Sequence, residues 1–144
     1  MQANKTAQAL GIKDSSLFRE QAYIDGQWVS SDSGETDDVL NPANSEVLGT
    51  VPRCGAAETR RAIEAASRAW PAWRSTPAKE RGKTLRRWYE LMMENQEDLA
   101  ILMTAEQGKP LEESRGEIVY ASSFFEWFGE EAKRAYGETI PTHM

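Results

Sequence analysis

Cysteine and histidine are almost missing from this 144-residue sequence, which has Cys54 and His143 and no others. One thiol excludes an internal disulfide, and no spacing here fits a zinc site, which needs several ligands. Nucleophilic catalysis needs a base within hydrogen-bond reach of the nucleophile. Cys54 has no histidine near it in sequence, so it reads as a reduced thiol of no special role. Long apolar runs are absent as well. None approaches the ~18 residues of a membrane-spanning helix. Residues 1–15 also lack the apolar centre of a secretion signal, so a cytoplasmic location is expected. In that setting Asn4-Lys5-Thr6, which fits the glycosylation pattern, carries no meaning.

Glycines are too widely spaced for a dinucleotide fingerprint, which needs them close together so that the backbone can approach a pyrophosphate. No two of the ten glycines are separated by a single residue. Gly82-Lys83-Thr84 ends like a phosphate loop, but Pro77 stands where the first glycine would be, and no strand leads into it. Positive charge is also in short supply. With 17 Lys and Arg against 23 Asp and Glu, the net charge is -6, which argues against nucleic-acid binding, where cationic side chains supply most of the affinity. The pairs Arg60-Arg61 and Arg86-Arg87 sit among Glu58, Glu64, Glu80 and Glu90 at helical spacing and read as solvated faces with local ion pairs.

What is present describes one soluble domain or part of one: 40% hydrophobic and 28% charged residues. Residues 1–16 show no hydrophobic periodicity and are read as a flexible tail. Tyr23-Ile24 and Gln27-Trp28 flank Asp25-Gly26, a dipeptide that accepts the positive backbone angles of a two-residue hairpin turn. Strands at 36–40 and 46–51 around Asn41-Pro42-Ala43-Asn44 complete a small antiparallel meander. A sheet of that size needs packing against something else.

Three long helices should follow. Ile63, Ala66, Trp70 and Trp73 mark the first, over 56–70, with Pro71 interrupting it. Thr76 is the expected N-cap of a second helix, with Pro77 at its first position. That helix should run to about 107 on Leu85, Trp88, Met92, Leu99 and Leu102, and end at a left-handed Gly108. Pro110 starts the third. Its rows Ile118, Ala121, Phe125, Phe128 and Tyr120, Phe124, Trp127 make it apolar over much of its circumference, and Gly137 should cap it. The stretch 106–136 therefore offers more aromatic surface than a lone surface helix needs. A few short strands cannot cover it. Either the helices bundle together or the cover lies in sequence that is not here.

Particular motifs carry a resemblance. They are Tyr23-Ile24-Asp25-Gly26-Gln27-Trp28, Asn41-Pro42-Ala43, Leu48-Gly49-Thr50-Val51-Pro52, Glu106-Gln107-Gly108-Lys109-Pro110, Gly116-Glu117-Ile118 with Tyr120-Ala121, and Tyr136-Gly137 with Thr139-Ile140-Pro141. From Leu17 to Pro141 the chain resembles the N-terminal part of the aldehyde dehydrogenase superfamily, nearest in pattern to bacterial succinate-semialdehyde dehydrogenases. The resemblance implies an α/β family fold of which this segment is mainly α. Residues 17–144 would be the incomplete N-terminal portion of a cofactor-binding domain. The implied activity is oxidation of an aldehyde, succinate semialdehyde in that branch, to a carboxylic acid with NAD or NADP. In the family a cysteine thiolate attacks the aldehyde, hydride passes to the cofactor, and a glutamate-activated water hydrolyses the thioester. Homo-oligomers without nucleic-acid or membrane partners are the family's habit.

Those catalytic groups, and the family's cofactor-binding turn, fall beyond the end of this chain, and Cys54 does not match the nucleophile's position. No catalytic or cofactor-contacting residue is expected here. The chain alone should neither bind the cofactor nor oxidise aldehydes. Two sites are implied by the resemblance. A monovalent cation would be held by the main-chain carbonyls of Val39 and Leu40 and by Glu106; the alternative is that Glu106 is a surface acid near a helix end. Tyr120 and Phe124 match a helix that lines the aldehyde tunnel; the alternative is core packing. A non-catalytic helical module that pairs with another chain through its aromatic face is the second functional class.

Overall fold

The computed structural model describes residues 2–142, with side chains from residue 6 onward. His143 and Met144 lie outside the described residues. The chain is mainly helical, and its strands form two separate two-stranded antiparallel sheets. In the first, β1 (Ala22–Ile24) and β2 (Gln27–Val29) pair with Ile24 opposite Gln27. Asp25 and Gly26 both adopt positive φ, 53° and 78°, as the two-residue turn requires. In the second, β3 (Thr36–Leu40) and β4 (Val47–Pro52) close around Asn41, whose side chain accepts the Ala43 amide at 2.9 Å. The expected meander is thus two hairpins, since no ladder joins β2 to β3 among the described residues.

An element precedes them that the hydrophobic pattern does not announce. Residues 1–16 were expected to hold no structure, yet α1 spans Gln2–Leu10 and a 3-10 turn spans Ser15–Leu17. Its anchor is small. Ala7 and Ile12 are buried, and the Asp98 carboxylate, itself 4% exposed, accepts the Lys13 amide at 3.1 Å and the Asp14 amide at 2.8 Å.

The helices also depart from the expected boundaries. Helix α2 (Ala56–Ser75) runs through Pro71 instead of ending at Trp70. The proline removes one amide, but the apolar spacing continues to Trp73. Near the end, the Ser75 and Thr76 hydroxyls donate to the Pro71 and Ala72 carbonyls at 2.9 and 3.0 Å. Thr76 therefore finishes α2 and does not cap the next helix; Pro77 holds that position at the start of α3 (Ala78–Glu94). The single helix expected up to 107 is broken at Asn95 (φ -109°, ψ 17°), whose side-chain amide donates back to the Leu91 carbonyl at 2.8 Å. Helix α4 (Gln96–Gln107) follows and stops at left-handed Gly108, as expected. Helix α5 (Leu111–Glu131) ends in a 3-10 turn, Ala132–Arg134, before Gly137 is reached.

Helix α5 packs on α3 and α4 through small and polar residues. Gly82 and Gly129 meet where α3 and α5 cross. Ser114 and Ser122 are fully buried; the former shares a 2.8 Å hydrogen bond with Thr104, and the latter donates to the Val119 carbonyl at 2.9 Å. Arg115 ties α5 to α4 through both oxygens of Glu97, at 2.8 and 2.7 Å, and the carboxylates of Glu97 and then Glu112 push its already high pKa higher. The Trp88 and Phe125 rings meet at a tilt of 32°, centroids 4.5 Å apart.

Among the described residues the buried apolar set is Ala7, Ile12, Leu48, Ala100, Ala105 and Ile118. Most of the apolar rows face outward, with Trp70, Trp88, Tyr120 and Trp127 all more than half exposed. Accessible surface totals 10447 Å². A compact monomer of 16.2 kDa has about 7,400 Å². Among the described residues no helix is long and apolar enough to cross a membrane.

Candidate functional site

Helix α2 is fixed at its start by one carboxylate. Glu58 is 4% exposed and accepts the Asp32 amide at 2.7 Å and the Gly55 amide at 3.0 Å. The Asp32 amide, followed by the amide of Glu58 itself and that of Gly55, holds the Glu58 pKa below its ordinary value. Arg61 grips Asp32 with two hydrogen bonds of 2.7 and 2.8 Å, which lowers the Asp32 pKa in turn. The same segment carries Cys54, exposed and without a titratable base from the described residues hydrogen-bonded to it.

Val39, Glu106 and Glu20 line one small cavity of about 140 Å³ between β3, β4, α4 and the segment before β1. Leu48, Phe18 and Leu102 form its apolar wall. The Glu20 carboxylate accepts the Thr50 amide at 2.9 Å, fixing the start of the chain to β4. A bulge lies between Val39 and Leu40: Val39 faces Gly49, but Leu40 faces Val47. Two of the three expected cation residues thus share a cavity. Leu40 is 48% exposed, and its side chain is not part of the lining. Glu20 was not singled out by the sequence, because nothing local relates it to Glu106; only the fold joins them. No group of three or more His, Cys, Asp or Glu side chains among the described residues is placed to hold a metal ion.

Tyr120 and Phe124 lie one turn apart on α5, rings edge to face with centroids 5.0 Å apart, and Phe128 stacks beyond at 6.4 Å. In this chain Tyr120 is 66% and Phe124 45% exposed. Phe124 belongs to an open groove of about 710 Å³ with Trp127, Phe128 and a rim of Arg86, Glu126, Glu130, Glu131 and Arg134. Gly82-Lys83-Thr84 forms no phosphate cradle. Gly82 is buried inside α3, Lys83 pairs with Glu80, and Thr84 donates to the Glu80 carbonyl. The Arg86-Arg87 pair sits on an ion-paired helix face, Arg86 binding Glu90 and Glu126 and Arg87 binding Glu90 and Glu94, whereas Arg61 pairs outside its helix, with Asp32.

This arrangement has known counterparts. Residues 28–144 match the sequence model of the aldehyde dehydrogenase family. The chain belongs to the aldehyde dehydrogenase family. A glutarate-semialdehyde dehydrogenase of Pseudomonas aeruginosa is 67% identical over 133 residues, covering 92% of this chain and 28% of the relative. An NADP(+) succinate-semialdehyde dehydrogenase of Escherichia coli is 62% identical over the same share of each. Among solved structures, betaine aldehyde dehydrogenase of Staphylococcus aureus in complex with NAD+ superposes with a TM-score of 0.87 at 33% identity, covering 99% of this chain and 28% of that one. The chain thus spans little more than a quarter of the length of the dehydrogenases it matches. The mainly helical architecture with its two small antiparallel sheets is that of an aldehyde dehydrogenase segment.

Proposed function

We propose that this chain is the N-terminal portion of the cofactor-binding domain of an NAD- or NADP-dependent dehydrogenase. Its substrate would be a short semialdehyde carrying a carboxylate, succinate semialdehyde foremost, oxidised to the dicarboxylic acid. The observation that carries the reading is 67% and 62% identity, across 92% of the chain, to enzymes named for glutarate and succinate semialdehydes. Those substrates differ by one methylene, so a single pocket could take either. The reading brings with it a cytoplasmic location and a homo-oligomeric assembly.

In this reading the 144-residue chain alone does not turn over aldehyde. Its one thiol, Cys54, lies exposed between β4 and α2 and has no base from the described residues hydrogen-bonded to it. Tyr120 and Phe124 contribute aromatic wall to the aldehyde path of the longer protein. The gene product purified from its own cells, followed with an antibody to residues 17–142, should be several times heavier than 16.2 kDa. It should reduce NAD or NADP with succinate semialdehyde. In it, Tyr120→Ala should raise KM several-fold. Cofactor reduction by the pure 144-residue chain would overturn the inactive-segment reading. An unchanged KM and kcat would remove Tyr120 from the path. A stable 16.2-kDa product without activity would favour the non-catalytic module, for which the outward aromatic face of α5 is the specific support.

The cavity shared by Val39 and Glu106 supports a second part of the proposal, a monovalent cation held by the Val39 and Leu40 carbonyls and the Glu106 carboxylate. Oxygen donors suit such a hard ion. Crystals of the purified protein soaked in rubidium should show an anomalous peak within coordination distance of Glu106, lost in Glu106→Gln. A clean map at that position would end the idea.

A further inference from the structure

The cavity of about 140 Å³ between β3, β4, α4 and the segment before β1 holds two carboxylates, and the proposed cation site uses only one of them. Glu106 enters from the end of α4 and Glu20 from the segment before β1. Arg19 is the remaining ionisable side chain among the described residues of the lining. Its guanidinium lies over the Trp28 ring of the first hairpin, 5.0 Å from the centroid, a contact that holds a cation without a carboxylate. Two carboxylates against one guanidinium leave the lining with one formal negative charge. Remove Glu20 and that charge is gone.

Glu20 is placed by the backbone around it. Its Oε1 accepts the Thr50 amide at 2.9 Å, and a Cβ at Gly49 would stand 2.8 Å from that same oxygen and 3.0 Å from the Phe18 ring. Only a residue without a side chain at 49 lets the carboxylate come so close. Oε2 accepts no hydrogen bond from the described residues. Across the ladder Gly49 faces Val39, and the bulge that follows disrupts the pairing beside Leu40. Glu20 thus lies on the strand opposite the main chain proposed to hold the ion.

These features fit a monovalent cation. Carboxylate and main-chain oxygens suit a hard ion. The cost of stripping water from an ion rises with the square of its charge, whereas its attraction to a site of fixed charge rises only in proportion. A lining with one net negative charge therefore favours a single positive charge over a double one. We infer that Glu20 gives this cavity its negative charge and so selects a monovalent ion. It is a specificity-determining neighbour of the Val39, Leu40 and Glu106 donors, and not one of them. The inference rests on the proposed cation site and goes beyond it in the role assigned to Glu20.

The test uses crystals of the purified gene product, freed of sodium and potassium and equilibrated with graded rubidium chloride. The anomalous peak beside Glu106, recorded at the rubidium absorption edge, is followed against concentration. Glu20→Gln keeps an acceptor oxygen for the Thr50 amide and removes the charge. Half-occupancy should then need several-fold more rubidium than in the wild type, while hydrogen exchange at the Thr50 amide in solution stays unchanged. In wild-type crystals barium, near potassium in size but doubly charged, should not displace rubidium at equal concentration. Wild-type rubidium occupancy in Glu20→Gln, or displacement by barium, would overturn the inference and leave the cation reading standing. Faster exchange at Thr50 alongside the lost occupancy would also overturn it, since Glu20 would then only fasten β4. No rubidium peak in the wild type would remove the cation reading and the inference together.

Discussion

Gly82→Ala should destabilise the chain by about 2 kcal/mol, although alanine is the better helix former by about 1 kcal/mol. A Cβ at position 82 would stand 2.7 Å from the Gly129 carbonyl oxygen, a backbone atom that can retreat only if α5 moves away from α3. Forcing a methyl group into a closed contact costs about 1–3 kcal/mol, and the rigid neighbour puts this case at the upper end, enough to exceed the propensity gain. Two companion variants make the comparison decisive. At Gly116, also helical, a Cβ meets nothing within 4 Å, so Gly116→Ala should stabilise by up to about 1 kcal/mol. At Gly129 the nearest atoms are 3.4 Å away, an ordinary contact, and Gly129→Ala should fall between the two. Urea unfolding of the three variants reads the order directly. If Gly82→Ala were as stable as Gly116→Ala, the close crossing of α3 and α5 would be wrong.

Asp98→Ala should remove about 3 kcal/mol and release the start of the chain. The buried carboxylate accepts the amides of Lys13 and Asp14, and a hydrogen bond to a charged group contributes about 1.5 kcal/mol or more. Asp98→Asn keeps one acceptor oxygen and should lose roughly half as much. Hydrogen exchange supplies the local readout. In Asp98→Ala the amides of α1 and of residues 13–17 should exchange much faster, while those inside α5 should follow only the global loss. Uniform acceleration would mean that Asp98 supports the whole fold and does not specifically clamp residues 13 and 14.

These two residues mark how far the sequence could be read. The Asp25-Gly26 hairpin and the left-handed stop at Gly108 were legible because each depends on backbone angles that few residues accept. The family was legible from short motifs spread from Tyr23 to Pro141. The break at Asn95 was not. Asparagine is tolerated within helices, and its backbone angles together with its side-chain bond to the Leu91 carbonyl show that it turns the chain. Pro71 misled in the other direction, since propensity marks a stop that the continuing apolar row overrides. Helix α1 has no readable stripe because its anchor is one alanine, one isoleucine and a carboxylate more than 80 positions away. In the candidate cation site, Val39 and Glu106 came from motif resemblance, whereas Glu20 became visible only when folding brought it to the same cavity.

The seam between α4 and α5, closed by Ser114, Thr104 and alanines, has a thermodynamic signature of its own. Heat capacity rises on unfolding mainly through newly wetted apolar area, and denaturant sensitivity follows the total area exposed. A chain whose large apolar side chains are already wet has little left to expose. Its unfolding transition should therefore be broad, and its stability should change only gently with temperature. Its small buried core thus gives this segment a flatter response to heat and urea than its length of 144 residues would suggest.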